Sequence, residues 1–213
     1  MSVSARLLLG RNAPLFLGFK ERALELTDAG MTEVYERAHA NVAERETDLN
    51  EPCTTLVLDR IIGPTILEVG CGAGYLSGQL RRHGQVTACD LVLDPMLAER
   101  YPDVRFETAP MTTLPFPDRS FDTVVSTHTL EHVLDIGRAL SELRRVARRR
   151  LVLVVPRQRP YRDTFDLHLH FFPYRHSLLT VLRPHGAYEC KDAGGDWFYL
   201  EEIPNQDSLP PSE

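Results

Sequence analysis

No stretch of this 213-residue chain holds the roughly 18 to 20 consecutive apolar residues that a membrane-spanning helix needs, so no membrane segment is expected. The four cysteines, Cys53, Cys71, Cys89 and Cys190, form no CxxC pair and no disulfide-framework spacing, which points to free thiols in a reducing cytoplasm. The N-terminal apolar run is short, is interrupted by charge and lacks a convincing cleavage site, so a secretory leader is not expected. An excess of positive charge is also missing. The formal net charge is -6, which disfavours a polyanion as main partner, and nucleic acid is not expected. One basic cluster exists, Arg144, Arg145, Arg148, Arg149 and Arg150, and reads as the solvated face and last turn of a helix. There is no internal repeat and no mark of oligomeric state.

What is present is an alternation of short apolar runs and longer amphipathic stretches from Thr65 onward. Strands are expected over 65–70, 85–90, 104–109, 121–127 and 150–156, with two more near 187–192 and 196–202. Helices are expected over 74–83, 95–100, 135–149 and 174–183. This pattern predicts an α/β fold, a doubly wound and mostly parallel seven-stranded sheet. Residues 1–62 read as N-terminal helices with a possible break at Gly30, forming a lid or cap. Residues 63–203 form the core, with an acceptor-site insertion near 157–185, and 204–213 form a loose tail.

The stretch "ILEVGCGAGYLSGQL" (66–80) places Gly70, Gly72 and Gly74 at the carboxyl end of the first strand, where doubly wound sheets bind ligands. Glycine permits positive φ and lets a ligand approach the backbone. The spacing is G-x-G-x-G rather than the dinucleotide G-x-G-x-x-G, with Tyr75 where a third glycine would fall, and the Walker pattern is absent. Asp90 closes the second strand, twenty residues after Gly70, where a carboxylate can accept from a ribose diol. Glu68, inside the first strand, is a carboxylate that needs a partner, and a cationic ligand suits it better than a dinucleotide.

Together with "LPFPDRSFDTVVSTHTLEHV" and "ELRRVARRRLVLVVP", these stretches resemble the class I S-adenosylmethionine-dependent methyltransferases, nearest the small-molecule, type 11-like branch, over roughly residues 64–156. The resemblance implies a Rossmann-like methyltransferase fold and S-adenosyl-L-methionine as cofactor. It implies that Glu68 and the backbone of Gly70, Cys71 and Gly72 hold the methionine amino group, and that Gly72 and Gly74 leave room for methionine and ribose. Asp90 takes the ribose hydroxyls, Leu91 lies against adenine, Met111 and Thr112 sit on the adenine side, and Ser126 lies near the sulfonium. The family's acidic residue before Met111 is replaced by Pro110, and the usual lysine-proline-glycine-glycine turn before the fifth strand is absent. That turn must therefore be tighter, or the helix shorter.

The implied activity is methyl transfer to an oxygen or nitrogen of a small-molecule metabolite. An RNA or protein methyltransferase, or a cofactor-binding partner without catalysis, stays open as an alternative. Candidate catalytic residues are His128, after the fourth strand, and His168 and His170, two apart and expected to share a face of an extended segment. The latter pair lacks an identified carboxylate partner, so no metal is assigned. Glu131 reads as solvent-facing and His132 as a packing or capping residue. Arg157, Arg159, Tyr161 and Arg162 read either as an anion-receiving group or as a solvated loop, and Tyr35 and Arg37 as lid residues.

Overall fold

The computed structural model describes residues 16–39, 46–161 and 166–204. Expectations for 1–15 and 40–45, for Arg162, and for the tail from 205 lie outside the described residues.

The elements run α1 (Phe19–Ala23), α2 (Asp28–His39), α3 (Glu51–Asp59), β1 (Thr65–Val69), α4 (Tyr75–Leu80), β2 (Gln85–Asp90), α5 (Leu97–Arg100), β3 (Arg105–Thr108), β4 (Phe121–Thr127), a 3-10 turn (Leu130–His132), α6 (Ile136–Val146), β5 (Ala147–Pro156), α7 (Arg175–Leu182), β6 (Tyr188–Ala193) and β7 (Asp196–Glu202). The strands form one seven-stranded sheet in the order β3-β2-β1-β4-β5-β7-β6. Pairings from β3 to β5 are parallel, and β7 is antiparallel to both of its neighbours. The order reverses between β1 and β4, which makes the carboxyl ends of these two strands the switch point.

Local chemistry sets the helix starts. Asn50 caps α3 by accepting from the Cys53 N–H at 2.9 Å, and Asp135 caps α6 by accepting from Arg138 N–H at 2.9 Å. The Thr27 hydroxyl accepts from the Gly30 N–H at 3.2 Å, so Gly30 lies in the first turn of α2 and does not break it. The interruption falls before Asp28. The missing glycine turn is explained by a shorter helix, since α6 ends at Val146 and β5 begins at Ala147 with no linker.

Residues Leu151 to Val155 of β5 are all buried, as expected of a strand covered on both faces. One apolar cluster packs α6 and α7 on one side of the sheet, around Leu140, Leu143, Leu178 and Tyr199. A second packs α3 and α4 on the other, around Val57, Leu80, Val125 and Phe198. A third is separate. Phe16, Phe19, Ala23 and Ala38 of the N-terminal segment pack on Leu167 and Leu169, in the segment after β5. No described helix is long and apolar enough to cross a membrane.

The arginine cluster is not simply solvated. Arg144 pairs with Glu201, Arg145 with Glu142 and Asp118, Arg148 with Asp122, and Arg150 with Glu202. Four of the five guanidiniums thus tie α6 and β5 to neighbouring elements. All four cysteines are free thiols.

Candidate active site at the mouth of β1 and β4

The chain leaves β1 through Gly70 (φ 82), Gly72 (φ 48) and Gly74 (φ 78). Two of these positions are closed by packing. A Cβ on Gly70 would stand 2.0 Å from Thr129 Oγ1, and one on Gly74 would stand 2.6 Å from Leu97 Cδ2. At Gly72 the same construction meets nothing within 4 Å. Main chain is therefore bare at Gly72 alone of the three, at the switch point. The backbone there is held from below, because Gly72 N–H donates to Asp90 Oδ2 at 2.8 Å. Asp90 Oδ1 accepts from Leu91 N–H at 2.7 Å, so the carboxylate organises both loops at the mouth.

Glu68 is 2% exposed, and its carboxylate accepts from the Ser77 hydroxyl in α4. Burial pushes its carboxyl up to about 8, against the lowering effect of Ser77, and Asp90 adds to the rise. The expected amino-group partner is thus a buried carboxyl that already has a hydroxyl donor. Burial also pushes the neighbouring Cys89 thiol up to about 12. Met111 is buried in the first cluster beside Ala109 and Leu114, and Thr112 presents its carbonyl to Arg138 Nε at 2.8 Å. Ser126, at the end of β4, has a buried hydroxyl with no hydrogen-bond partner among the described residues.

Beyond Ser126 the chain turns sharply. His128 takes a positive φ of 50, while its N–H donates to Val154 O at 2.9 Å. Its Nε2 lies 3.3 Å from Asp196 Oδ2 without hydrogen-bond alignment, and its Nδ1 lies 3.7 Å from Glu131 Oε1. Burial would lower its pKa, but Asp196 and Glu131 outweigh that and raise it.

Glu131 corrects the sequence reading. It is fully buried, not solvent-facing, and neither carboxylate oxygen makes a hydrogen bond among the described residues. Burial pushes its carboxyl up to about 7, opposed by His128. His132 and His168 meet edge to face beside it, with ring centroids 4.6 Å apart. Burial, and next the His168 ring, hold His132 down at about 3.

His168 and His170 do not act as a pair. His168 Nδ1 stands 2.6 Å from Gln158 Oε1, while His170 Nε2 stands 2.8 Å from Val133 O. The N–H groups of Leu169 and His170 both donate to Glu131 O, at 2.8 and 2.9 Å. The segment after β5 is therefore fastened by main chain to the turn after β4. Over this junction lies Tyr35 of α2, whose hydroxyl donates to His132 O at 3.3 Å. Arg37 instead pairs with Glu33 on the exposed side of that helix.

Sequence reasoning placed the histidines but missed Glu131, Gln158 and Asp196 as their neighbours. A carboxylate between Leu130 and His132–Val133, in an otherwise apolar turn, was the available signal for Glu131. Gln158 follows β5 and Asp196 opens β7, so only topology brings them in. A separate cavity of about 420 Å³ gathers Arg157, Arg159, Arg175, Tyr174, Pro173 and Trp197.

A parallel sheet that reverses at β1 and β4, with bare glycine main chain and a strand-ending aspartate at the reversal, defines a nucleoside-binding Rossmann-like architecture. A family model described as a methyltransferase domain matches residues 67–155. A demethylmenaquinone methyltransferase of Beutenbergia cavernae is 32% identical over 174 residues, covering 72% of each chain. A probable S-adenosylmethionine-dependent methyltransferase of Mycolicibacterium smegmatis is 33% identical over 146 residues, 64% of this chain and 56% of the relative. The chain spans only 37% of two mycobacterial relatives of similar identity. Among solved structures, a 1,6-didemethyltoxoflavin-N1-methyltransferase of Burkholderia thailandensis, with bound S-adenosylhomocysteine, superposes with a TM-score of 0.66 at 20% identity, over 82% of this chain and 88% of that one. The chain belongs to the class I S-adenosylmethionine-dependent methyltransferases, in the type 11 branch.

Proposed function

We propose that this protein transfers the methyl group of S-adenosylmethionine to an oxygen or nitrogen of a small-molecule acceptor. The observation that carries this reading is Gly72, where positive φ, open space on the side-chain face and an N–H anchored by Asp90 coincide at the switch point. Only a ligand that lies against main chain gives a reason to keep that surface bare. The cofactor supplies a methyl group already activated on a sulfonium, so the chain's own task is orientation, water exclusion and proton handling.

Gly72, Asp90 and the unpartnered Ser126 hydroxyl line the cofactor side. Tyr35, His128 and the 166–172 segment face the acceptor side. His128 is the candidate proton acceptor, since it follows β4 directly and Asp196 stands beside its Nε2 to stabilise the imidazolium. His170 is an anchor to Val133 O in this arrangement. Small-molecule acceptors are in keeping with the names of the menaquinone and toxoflavin relatives. The free thiols suit the reducing cytoplasm.

Calorimetric titration with S-adenosylmethionine and S-adenosylhomocysteine, followed by methyl-label transfer to a panel of quinols and hydroxylated or amino heterocycles, tests the reading. Saturable binding of both nucleosides and label in one acceptor class is the expected result. Failure to bind either nucleoside overturns it.

A further inference from the structure

We propose that Glu131, His132 and His168 form a binding site for one divalent cation of the zinc or cobalt type. One donor atom from each of the three residues lies within 4.8 Å of the other two, and His168 Nε2 is 3.9 Å from Glu131 Oε1. Metal–ligand bonds of roughly 2.1 Å put donors roughly 3.4 Å apart in a tetrahedral site, so closing on an ion needs side-chain shifts of about 1 Å.

Three features beyond proximity point to a cation. The first is Glu131 itself, 0% exposed with both oxygens lacking a hydrogen bond among the described residues. A carboxylate buried in that state is costly unless a cation completes it. The second is the tautomer of each histidine. His132 Nδ1 faces the Leu167 carbonyl at 3.3 Å, and a carbonyl only accepts, so Nδ1 carries the proton and Nε2 keeps its lone pair. His168 Nδ1 faces Gln158 Oε1 at 2.6 Å and Asp166 Oδ2 at 3.2 Å, while Gln158 Nε2 donates to Asp166 Oδ2 at 3.0 Å. That chain fixes the Gln158 amide with its oxygen toward the ring and again leaves the His168 Nε2 lone pair free. An outer acceptor on Nδ1 and a free Nε2 is how metal-ligating histidines are held. The third is the surrounding field. Asp166 lies beside His168, and Asp196 lies beside His128, which in turn touches Glu131. Two imidazoles and one carboxylate suit borderline metals over magnesium or calcium, and three protein ligands leave positions open to an exogenous donor.

The site adjoins the cofactor mouth. Thr129, two residues before Glu131, is the residue whose hydroxyl blocks the Cβ position of Gly70. The open coordination positions are therefore assigned to a chelating oxygen or nitrogen of the acceptor. That assignment, unlike the ion site itself, rests on the methyl-transfer reading.

The test uses the full chain freed of metal by chelator dialysis. Co²⁺ titration followed by visible absorption, with Zn²⁺ calorimetry, is expected to show one ion per chain and ligand-field bands of a low-coordinate N/O site. Glu131→Gln, His132→Gln and His168→Gln are each expected to weaken binding by at least about 10- to 100-fold, the loss that removing an outer partner of a ligand alone brings. The exposed-residue control His83→Gln is expected to bind as the wild type does. Thermal unfolding checks that each variant folds, and X-ray absorption on the unmodified zinc-loaded chain, expected to show two imidazoles, decides the matter if a variant does not. Absence of stoichiometric binding at sub-millimolar metal, or unchanged affinity in a folded His168→Gln chain, overturns the proposal. Methyl transfer that persists after chelation overturns the acceptor assignment alone. Loss of S-adenosylhomocysteine binding in the unmodified chain sinks the methyl-transfer reading and leaves the ion site standing.

Discussion

Gly72 and Gly70 are two residues apart, yet their substitution has different consequences. Alanine at Gly72 meets no atom, so Gly72→Ala costs about 1–2 kcal/mol of left-handed backbone strain and leaves the fold intact. Its methyl group enters the space assigned to the cofactor, so S-adenosylhomocysteine affinity is expected to drop at least tenfold by calorimetry. Gly70→Ala drives a Cβ against Thr129 and is expected to lower the melting temperature far more. Glu68 supplies a pH signature. Its carboxyl holds its proton up to about 8 in the folded chain and only to 4.5 when unfolded. Its contribution to stability is therefore full below pH 4.5 and is lost as pH rises through about 8. The facing groups Asp90, Cys71 and Cys89 carry negative charge or none, and none reverses that sign. Glu68→Gln is expected to flatten the melting-temperature profile between these two values in the cofactor-free protein. At this scale the sequence was most legible where a residue's role is local. Gly72 follows β1 and Asp90 ends β2, and the loop spacing marked those two places at the strand ends. Glu131 was misread because exposure depends on what covers a turn, and the cover comes from residues 166–172 and α2.

Between elements, the abutting of α6 and β5 leaves alignment to side chains. Glu201 of β7, 0% exposed, accepts from Arg144 of α6 at 2.7 and 3.1 Å, from the Tyr199 hydroxyl at 2.8 Å and from His185 N–H at 2.8 Å. Arg144→Met strands a buried carboxylate and is expected to cost about 3–5 kcal/mol in urea unfolding. The double variant Arg144→Met/Glu201→Gln is expected to recover a substantial part of that loss, because no unpaired charge remains. The strands were readable from runs of apolar residues to within a residue or two at most ends, with β5 the exception, starting three residues before its expected position. Helix ends were less so. Helix α6 stops three residues before its amphipathic pattern does, since β5 begins at Ala147, which pairs with Phe121, and strand pairing overrides helix propensity. Gly30 misled for the opposite reason, a weak helix former tolerated where the Thr27 cap holds the first turn.

For the whole molecule, the two larger clusters sandwich the sheet, with Phe172 in the first, while the third joins the N-terminal helices to Leu167 and Leu169. The cover of the site thus has an apolar core separate from the two that flank the sheet, and is tied to the floor by the bonds to Glu131 O and by Phe172. Phe19→Ala, at a side chain 2% exposed in that third cluster, is expected to speed hydrogen exchange of amides in 166–172 by tenfold or more, with strand amides of β1, β4 and β5 unchanged. Uniform acceleration across both regions would contradict that separation. The alternation of runs foretold a doubly wound sheet, but the order in which β7 slips between β5 and β6 is a long-range outcome that no local pattern encodes. The fastening of Leu169 and His170 to Glu131 O uses peptide groups alone. Any amino acid other than proline can make those two bonds, so the loop's register survives exchange of its neighbours. Phe171, beside those two residues in the segment proposed to face the acceptor, is accordingly a natural position for diversification, by evolution or by library design, when a new acceptor is wanted on an unchanged scaffold.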